Sequence, residues 1–166
     1  MWLILTFAEL SSVFVPEAAR SDAEAHSPSP LVLMSSDSVV RLYHARTGGI
    51  MNGVREVIRD SAGWSKWWSR LGASSPAPPA VDFKSQMLVL VAMGSRASTG
   101  YDIIVDSVRI RDSRLLIFVR STEPAGDCAV GAMATQPVDV VRVTRSPLTP
   151  RFVESTHSVH CSAGSP

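Results

Sequence analysis

The chain has 166 residues, enough for one domain with tails, and its 45% hydrophobic and 19% charged content is an ordinary globular balance. Sixteen basic residues against fifteen acidic ones leave a formal charge of +1. The arginines are scattered, so no basic stripe exists to track a phosphate backbone, and nucleic acid is excluded as an expected partner.

The N-terminus opens on apolar Met1-Trp2-Leu3-Ile4-Leu5-Thr6-Phe7-Ala8, meets Glu9, and continues to a second apolar run at Val13-Phe14-Val15. This is too short and interrupted to span a bilayer. It matches a secretory leader in part, because no basic residue precedes Arg20. A polar stretch follows, ending in Ser27-Pro28-Ser29-Pro30, which buries too little apolar surface to order itself. Residues 1–34 are therefore read as a leader-like segment and Ser/Pro linker, 35–161 as the domain, and 162–166 as a disordered tail. An extracytoplasmic location (periplasmic, secreted or at the cell envelope) is expected, the alternative being a frayed cytoplasmic N-terminus.

Val39 to Ala45 is β-prone, Thr47-Gly48-Gly49 tolerates positive φ where a strand must turn, and Val54 to Ile58 reads as a second strand. Asp60 or Ser61 can cap a helix. Trp64, Trp67, Trp68 and Leu71 then fall on one helical face, predicting a helix from Ser61 to Leu71 that Gly72 ends. A stripe at this spacing points to a packed face rather than a carbohydrate platform. Ser74 to Pro79 is a proline-rich loop. Met87 to Met93 is apolar at consecutive positions, which predicts a central strand covered on both faces and lying under the helix. Trp64, Trp67, Trp68, Leu71, Phe83, Leu88 and Leu90 make up the expected structural core.

Tyr101 to Ile110 and Leu115 to Arg120 form an expected hairpin through Arg111-Asp112-Ser113-Arg114. Val138 to Val143 gives a further strand behind Pro137, and Arg151 to Glu154 an edge strand. These elements predict an α+β domain: a mostly antiparallel twisted β-sheet of five to seven strands packed on one principal helix.

Cys128 and Cys161 are the two cysteines. Neither lies near the N-terminus, where a lipid-accepting cysteine would stand. In an exported domain they are expected to pair, a closure worth about 3–4 kcal/mol on the chain-entropy model; the alternative is two unrelated buried thiols. His157, His160 and Cys161 carry zinc or copper ligand chemistry, but they stand alone at the chain's end and Cys161 is better used with Cys128, so no metal or other cofactor is expected. Gly94-Ser95 lacks the second glycine of a nucleophile elbow, and no P-loop, dinucleotide fingerprint or HExxH occurs. No catalytic residue is therefore assigned.

Several pieces in order resemble the C-terminal domain family of the protease-complex subunit PrcB. They are Thr47-Gly48-Gly49-Ile50, Val57-Ile58-Arg59-Asp60 with Trp64 and Trp67-Trp68, Val81-Asp82-Phe83, Gly94, Ser98-Thr99-Gly100-Tyr101, and Thr135-Gln136-Pro137. They span about residues 47 to 145. The family's usual loop looks like Thr-Gly-Gly-Tyr, and this chain has one glycine before Tyr101. The resemblance implies a non-catalytic exported domain that associates with or stabilises a secreted protease complex, so the expected partner is a protein.

Ser98, Thr99, Gly100 and Tyr101 are the candidate contact residues, since glycine admits close backbone approach and tyrosine is a rigid aromatic with a hydroxyl. The other reading of this loop is a structural turn whose tyrosine packs on the core. A second functional reading is a chagasin-like peptidase inhibitor, because a similar Thr-Gly-Tyr tripeptide enters the enzyme cleft in that family.

Overall fold

The computed structural model describes residues 39–72 and 77–161, all within one compact unit. The leader-like segment, the linker, the first part of the proline-rich loop and the tail lie outside the described residues. The elements in order are β1 (Val40–Ala45), β2 (Gly53–Ile58), α1 (Ser61–Trp68), β3 (Gln86–Met93), β4 (Asp102–Arg111), β5 (Arg114–Pro124), β6 (Val138–Thr144) and β7 (Pro150–Val159).

The domain is mostly β with one short helix, as the α+β reading expects, but the strands divide between two sheets. One is four-stranded and antiparallel throughout, in the order β1-β6-β3-β2; the other is three-stranded, in the order β4-β5-β7. β4 pairs antiparallel with β5, whereas β5 and β7 run parallel. The parallel pair arises because β6 returns through the opposite sheet before β7 begins. The edge strand expected at Arg151 to Glu154 is consequently longer, pairing along β5 from Pro150 to Val159.

β3 explains the division. Its alternate residues Met87, Val89, Val91 and Met93 pack with Ile103, Val105, Leu115, Ile117 and Val119 of the second sheet. Leu88, Leu90 and Ala92 point the other way, against Trp64, Trp68 and Leu71. Side chains on a strand alternate between faces, so an uninterrupted apolar run requires two apolar partners, here the helix layer on one side and the second sheet on the other.

The helix is shorter than its periodicity suggests. Asp60 caps it, its carboxylate accepting from the Gly63 N–H at 2.7 Å. After Trp68 the chain tightens into turns, with Arg70 N–H donating to the Trp67 carbonyl and Leu71 N–H to that of Trp68. Leu71, expected as the last helical residue, therefore lies past the helix but is fully buried, and Gly72 follows at φ +60°. Trp64 and Trp68 meet edge to face with centroids 5.1 Å apart. Trp67 and Phe83, expected in the core, are partly buried at its margin, and Arg70 covers the Trp67 ring at 4.6 Å.

The expected Thr47-Gly48-Gly49 turn also serves as a close approach. A Cβ on Gly48 would lie 2.0 Å from Val138 Cγ1, and one on Gly49 2.9 Å from the Arg70 carbonyl oxygen.

An ion pair joins the sheets along one flank. β4 is an edge strand, and the Val105 N–H donates to Asp139 Oδ2 at 2.8 Å while the Val105 carbonyl accepts from Arg41 Nη2 at 3.3 Å. Arg41 Nε reaches Asp139 Oδ1 at 2.6 Å. The guanidinium and carboxylate thus take the place of a neighbouring strand. Asp139 is fully buried, and its bond to Arg41 raises the arginine's pKa further, so the cation stays charged. A register shift in β1 between Arg41 and Tyr43 brings residues three apart onto one face. His44 therefore also meets Asp139, Nδ1 to Oδ1 at 3.5 Å, and reaches Asp102 with Nε2 at 3.3 Å.

Arg41→Ala strips Asp139 of its cation and Val105 of a donor, and is expected to lower stability by about 2–4 kcal/mol in urea denaturation, the lower end reflecting the arginine's partial exposure. The hairpin turn at Asp112 and Ser113 has φ of 48° and 56°, the primed geometry that favours glycine. Ser113→Gly is expected to stabilise the fold by about 0.5–1 kcal/mol in the same assay.

Candidate functional site

One end of the sandwich collects most of the loops. The start of β2 lies beside the end of β3, Ala92 and Ala45 both pair with Val138, and Asp102 lies across from Thr122. The segments 46–52, 94–101 and 125–137 meet there, together with the end of β7.

The loop containing Ser98, Thr99, Gly100 and Tyr101 is braced on the 131–135 segment. Arg96 and Thr135 exchange backbone hydrogen bonds at 2.8 and 2.9 Å, and Thr135 Oγ1 donates to the Ser98 carbonyl at 2.9 Å. Gly131 N–H donates to Thr99 Oγ1 at 2.8 Å, and Thr99 N–H returns a bond to the Gly131 carbonyl at 3.0 Å. Gly100 has φ +95°, and a Cβ there would lie 3.0 Å from Pro124 Cβ, so the position requires glycine twice over. Tyr101 packs against the core between the sheets, with the Arg96 guanidinium carbon 5.7 Å from its ring centroid. Of the four candidate residues only Gly100 is exposed; the others are half-buried.

The exposed apolar surface at this end comes from residues the sequence reading did not single out. Met51, Val130, Met133 and Val159 are 61%, 41%, 55% and 49% exposed. Val130 lies beside Gly100, and Val159 pairs with Pro124. A disulfide joins Cys128 to Cys161 across Cα atoms 4.9 Å apart, tying the β5–β6 loop to the segment after β7. His160 Nδ1 sits 3.3 Å from Asp127 Oδ2 beside it. Exposed Met and Val in loops are visible in a sequence only as loop residues; their common location depends on the pairing of distant strands.

Beneath the loops, between the sheets, opens a cleft of about 400 Å³ lined by Gly53, Arg55, Arg96, Ser121, Glu123 and Glu154 among others. Arg55 grips Glu154 with two bonds, Nε to Oε1 at 2.6 Å and Nη2 to Oε2 at 2.8 Å, and spends Nη1 on the Val54 and Ala92 carbonyls. This pair fastens β2 to β7. Among the described residues, Arg96 Nε is the buried side-chain nitrogen without a hydrogen-bond partner. No helix among them is long and apolar enough to cross a membrane, and no group of three or more His, Cys, Asp or Glu side chains could hold a metal ion.

Residues 87–144 match the model of the family described as PrcB C-terminal. The matched stretch runs from the second residue of β3 to the end of β6. It includes two of the three loop segments of the pole, 94–101 and 125–137, and leaves out 46–52. Comparison with curated proteins gives no match, and comparison with solved structures gives none either.

The cleft's ion pair gives the fold a defined response to acid. Arg55 holds the Glu154 carboxyl below its usual 4.5, against burial, which pushes it up. A carboxyl depressed in the folded state stabilises the fold above its unfolded pKa, and that contribution disappears as pH falls through the depressed value. Stability of the native chain is therefore expected to decline on acidification below 4.5. Glu154→Gln should flatten that decline while lowering stability at neutral pH, as urea denaturation at a series of pH values will reveal.

Proposed function

We propose that this domain is a non-catalytic, exported protein-interaction module, an accessory or stabilising part of a secreted protease complex. The observation that carries this reading is the family match over β3 to β6. The loop pole supplies a suitable surface: exposed Met and Val side chains on segments held in place by backbone bonds, a glycine-dependent turn and a disulfide. Rigid loops bind with little ordering cost, and apolar side chains ringed by polar backbone are the usual core of a protein contact. The disulfide accords with an oxidising location outside the cytoplasm. Ser98, Thr99, Gly100 and Tyr101 act mainly as the frame of this surface, with Gly100 at its face.

The test is affinity purification of the tagged chain from the envelope and secreted fractions of its source, alongside Met133→Asp, whose exposed side chain makes the change tolerable to the fold. A protease subunit should be recovered in stoichiometric amount with the native chain and about tenfold less with Met133→Asp, a loss of ~1.4 kcal/mol. Recovery of no protein partner, together with turnover of a small molecule by the purified chain, contradicts the proposal. Inhibition of a cysteine peptidase by the chain alone would transfer support to the inhibitor reading.

A further inference from the structure

We propose that the cleft between the sheets seats a peptide carboxylate on Arg96, making it the specificity point of the partner contact; this rests on the protein-interaction reading above. The two arginines of the cleft are in opposite states. Arg55 has every guanidinium nitrogen engaged, by Glu154 and by two carbonyls. Arg96 has a buried Nε without a partner, and its Nη1 reaches only the carbonyl of the adjacent Ser95, at 3.4 Å. It is positioned by the Tyr101 ring and by the backbone pairing with Thr135, rather than by a carboxylate.

An arginine that lines the cleft, held over an aromatic ring and committed to no carboxylate, is arranged for a planar acceptor, and a carboxylate is the group that fits its Nη edge, the buried Nε lying behind and sensing the change. Glu123 lines the same cleft, and no ion pair joins it or Arg96 among the described residues. The Arg55–Glu154 pair is neutral within itself. A ligand therefore meets one unspent cation and one unspent anion, which suits a carboxylate with an N–H or ammonium group close by, as a peptide provides. The volume of about 400 Å³ lies in the ordinary range of roughly 300–1,000 Å³ for ligand clefts and accommodates a chain terminus or an acidic side chain.

Arg96 ties the loop to the cleft. Tyr101, turned inward, is not itself the contact but the support of the residue that makes it, and Gly100 allows the backbone turn that sends the tyrosine inward.

The test follows the Arg96 Nε–H signal of the ¹⁵N-labelled full chain by NMR, assigned with the Arg96→Lys variant. Three acetylated Ala-Gly pentapeptides serve as probes: one with a free C-terminal carboxylate, one amidated, and one amidated with a central glutamate. At millimolar concentration at least one carboxylate-bearing probe should move the signal, the free-acid arm identifying chain termini and the glutamate arm identifying side chains. The amidated neutral probe should leave it unmoved.

Arg96→Gln, which removes no strong internal bond and should melt like the native chain, is expected to weaken probe binding about tenfold or more. Equal binding of the neutral probe, an unmoved Arg96 signal with all three, or unchanged binding by Arg96→Gln overturns the proposal. No partner protein enters this experiment. Its failure leaves the co-purification result standing, and failed co-purification with intact peptide binding counts against the complex-subunit reading alone.

Discussion

The architecture depends on β3 being covered on both faces. Seven of its eight residues, from Met87 to Met93, are buried, and an alternating strand can achieve that only between two apolar layers. The helix satisfies Leu88, Leu90 and Ala92; nothing in the helix layer can reach Met87, Val89 and Val91. The β4-β5-β7 sheet exists where it does because those three residues need it. Each Leu or Val so buried contributes about 1.5–3 kcal/mol relative to exposure, so the sum along β3 outweighs any single polar contact in the domain.

Two sheets stacked on one strand leave open flanks, and arginine–carboxylate pairs bridge both. Arg41 and Asp139 complete the hydrogen bonding of β4's edge through Val105. Arg55 and Glu154 bind β2 to β7 across the opposite flank. The pairs differ in consequence. Asp139 is wholly removed from water and accepts from backbone as well as side chain, so it fixes one relative position of the sheets. Glu154 remains 45% exposed and its pair is a screened clamp, which permits a cleft to remain beside it.

Most strands were legible in the sequence because alternation and β-branching are local signals, and Asp60, the indole spacing and Gly72 marked the helix in the same way. The division into two sheets was not. Period two indicates which face a residue occupies but not what covers that face, and the parallel pairing of β7 with β5 depends on the chain passing through β6 of the other sheet before it returns. Asp139 offered a partial signal: in Val138 to Val143 it shares a face with Val141 and Val143, so a buried carboxylate in need of a partner was implied. Its partner Arg41 lies 98 residues away, beyond any spacing argument. The Ser98 to Tyr101 loop was legible as a feature through its glycine, yet the inward packing of Tyr101 was only one of two readings, because the loop is held by bonds to the distant 131–135 segment, such as that from Gly131 N–H to Thr99 Oγ1.

The same geometry leaves the loop pole as the surface on which the proposed contact rests. One face of the four-stranded sheet is occupied by the helix and the other by the second sheet. The outer face of the second sheet carries charged pairs such as Asp106 with Arg120, and Arg109 lies across Phe118. At the loop pole, by contrast, backbone turns braced from two directions present Met51, Val130, Met133 and Val159, and a cleft with unspent charge opens beneath them. The stretch that matches the PrcB C-terminal family contains two of the three loop segments of this pole, with Val130 and Met133, together with the strands from which they project. A segment so composed anchors its loops directly on a doubly covered strand, and loops anchored in that way are the kind of support that the proposed recognition requires.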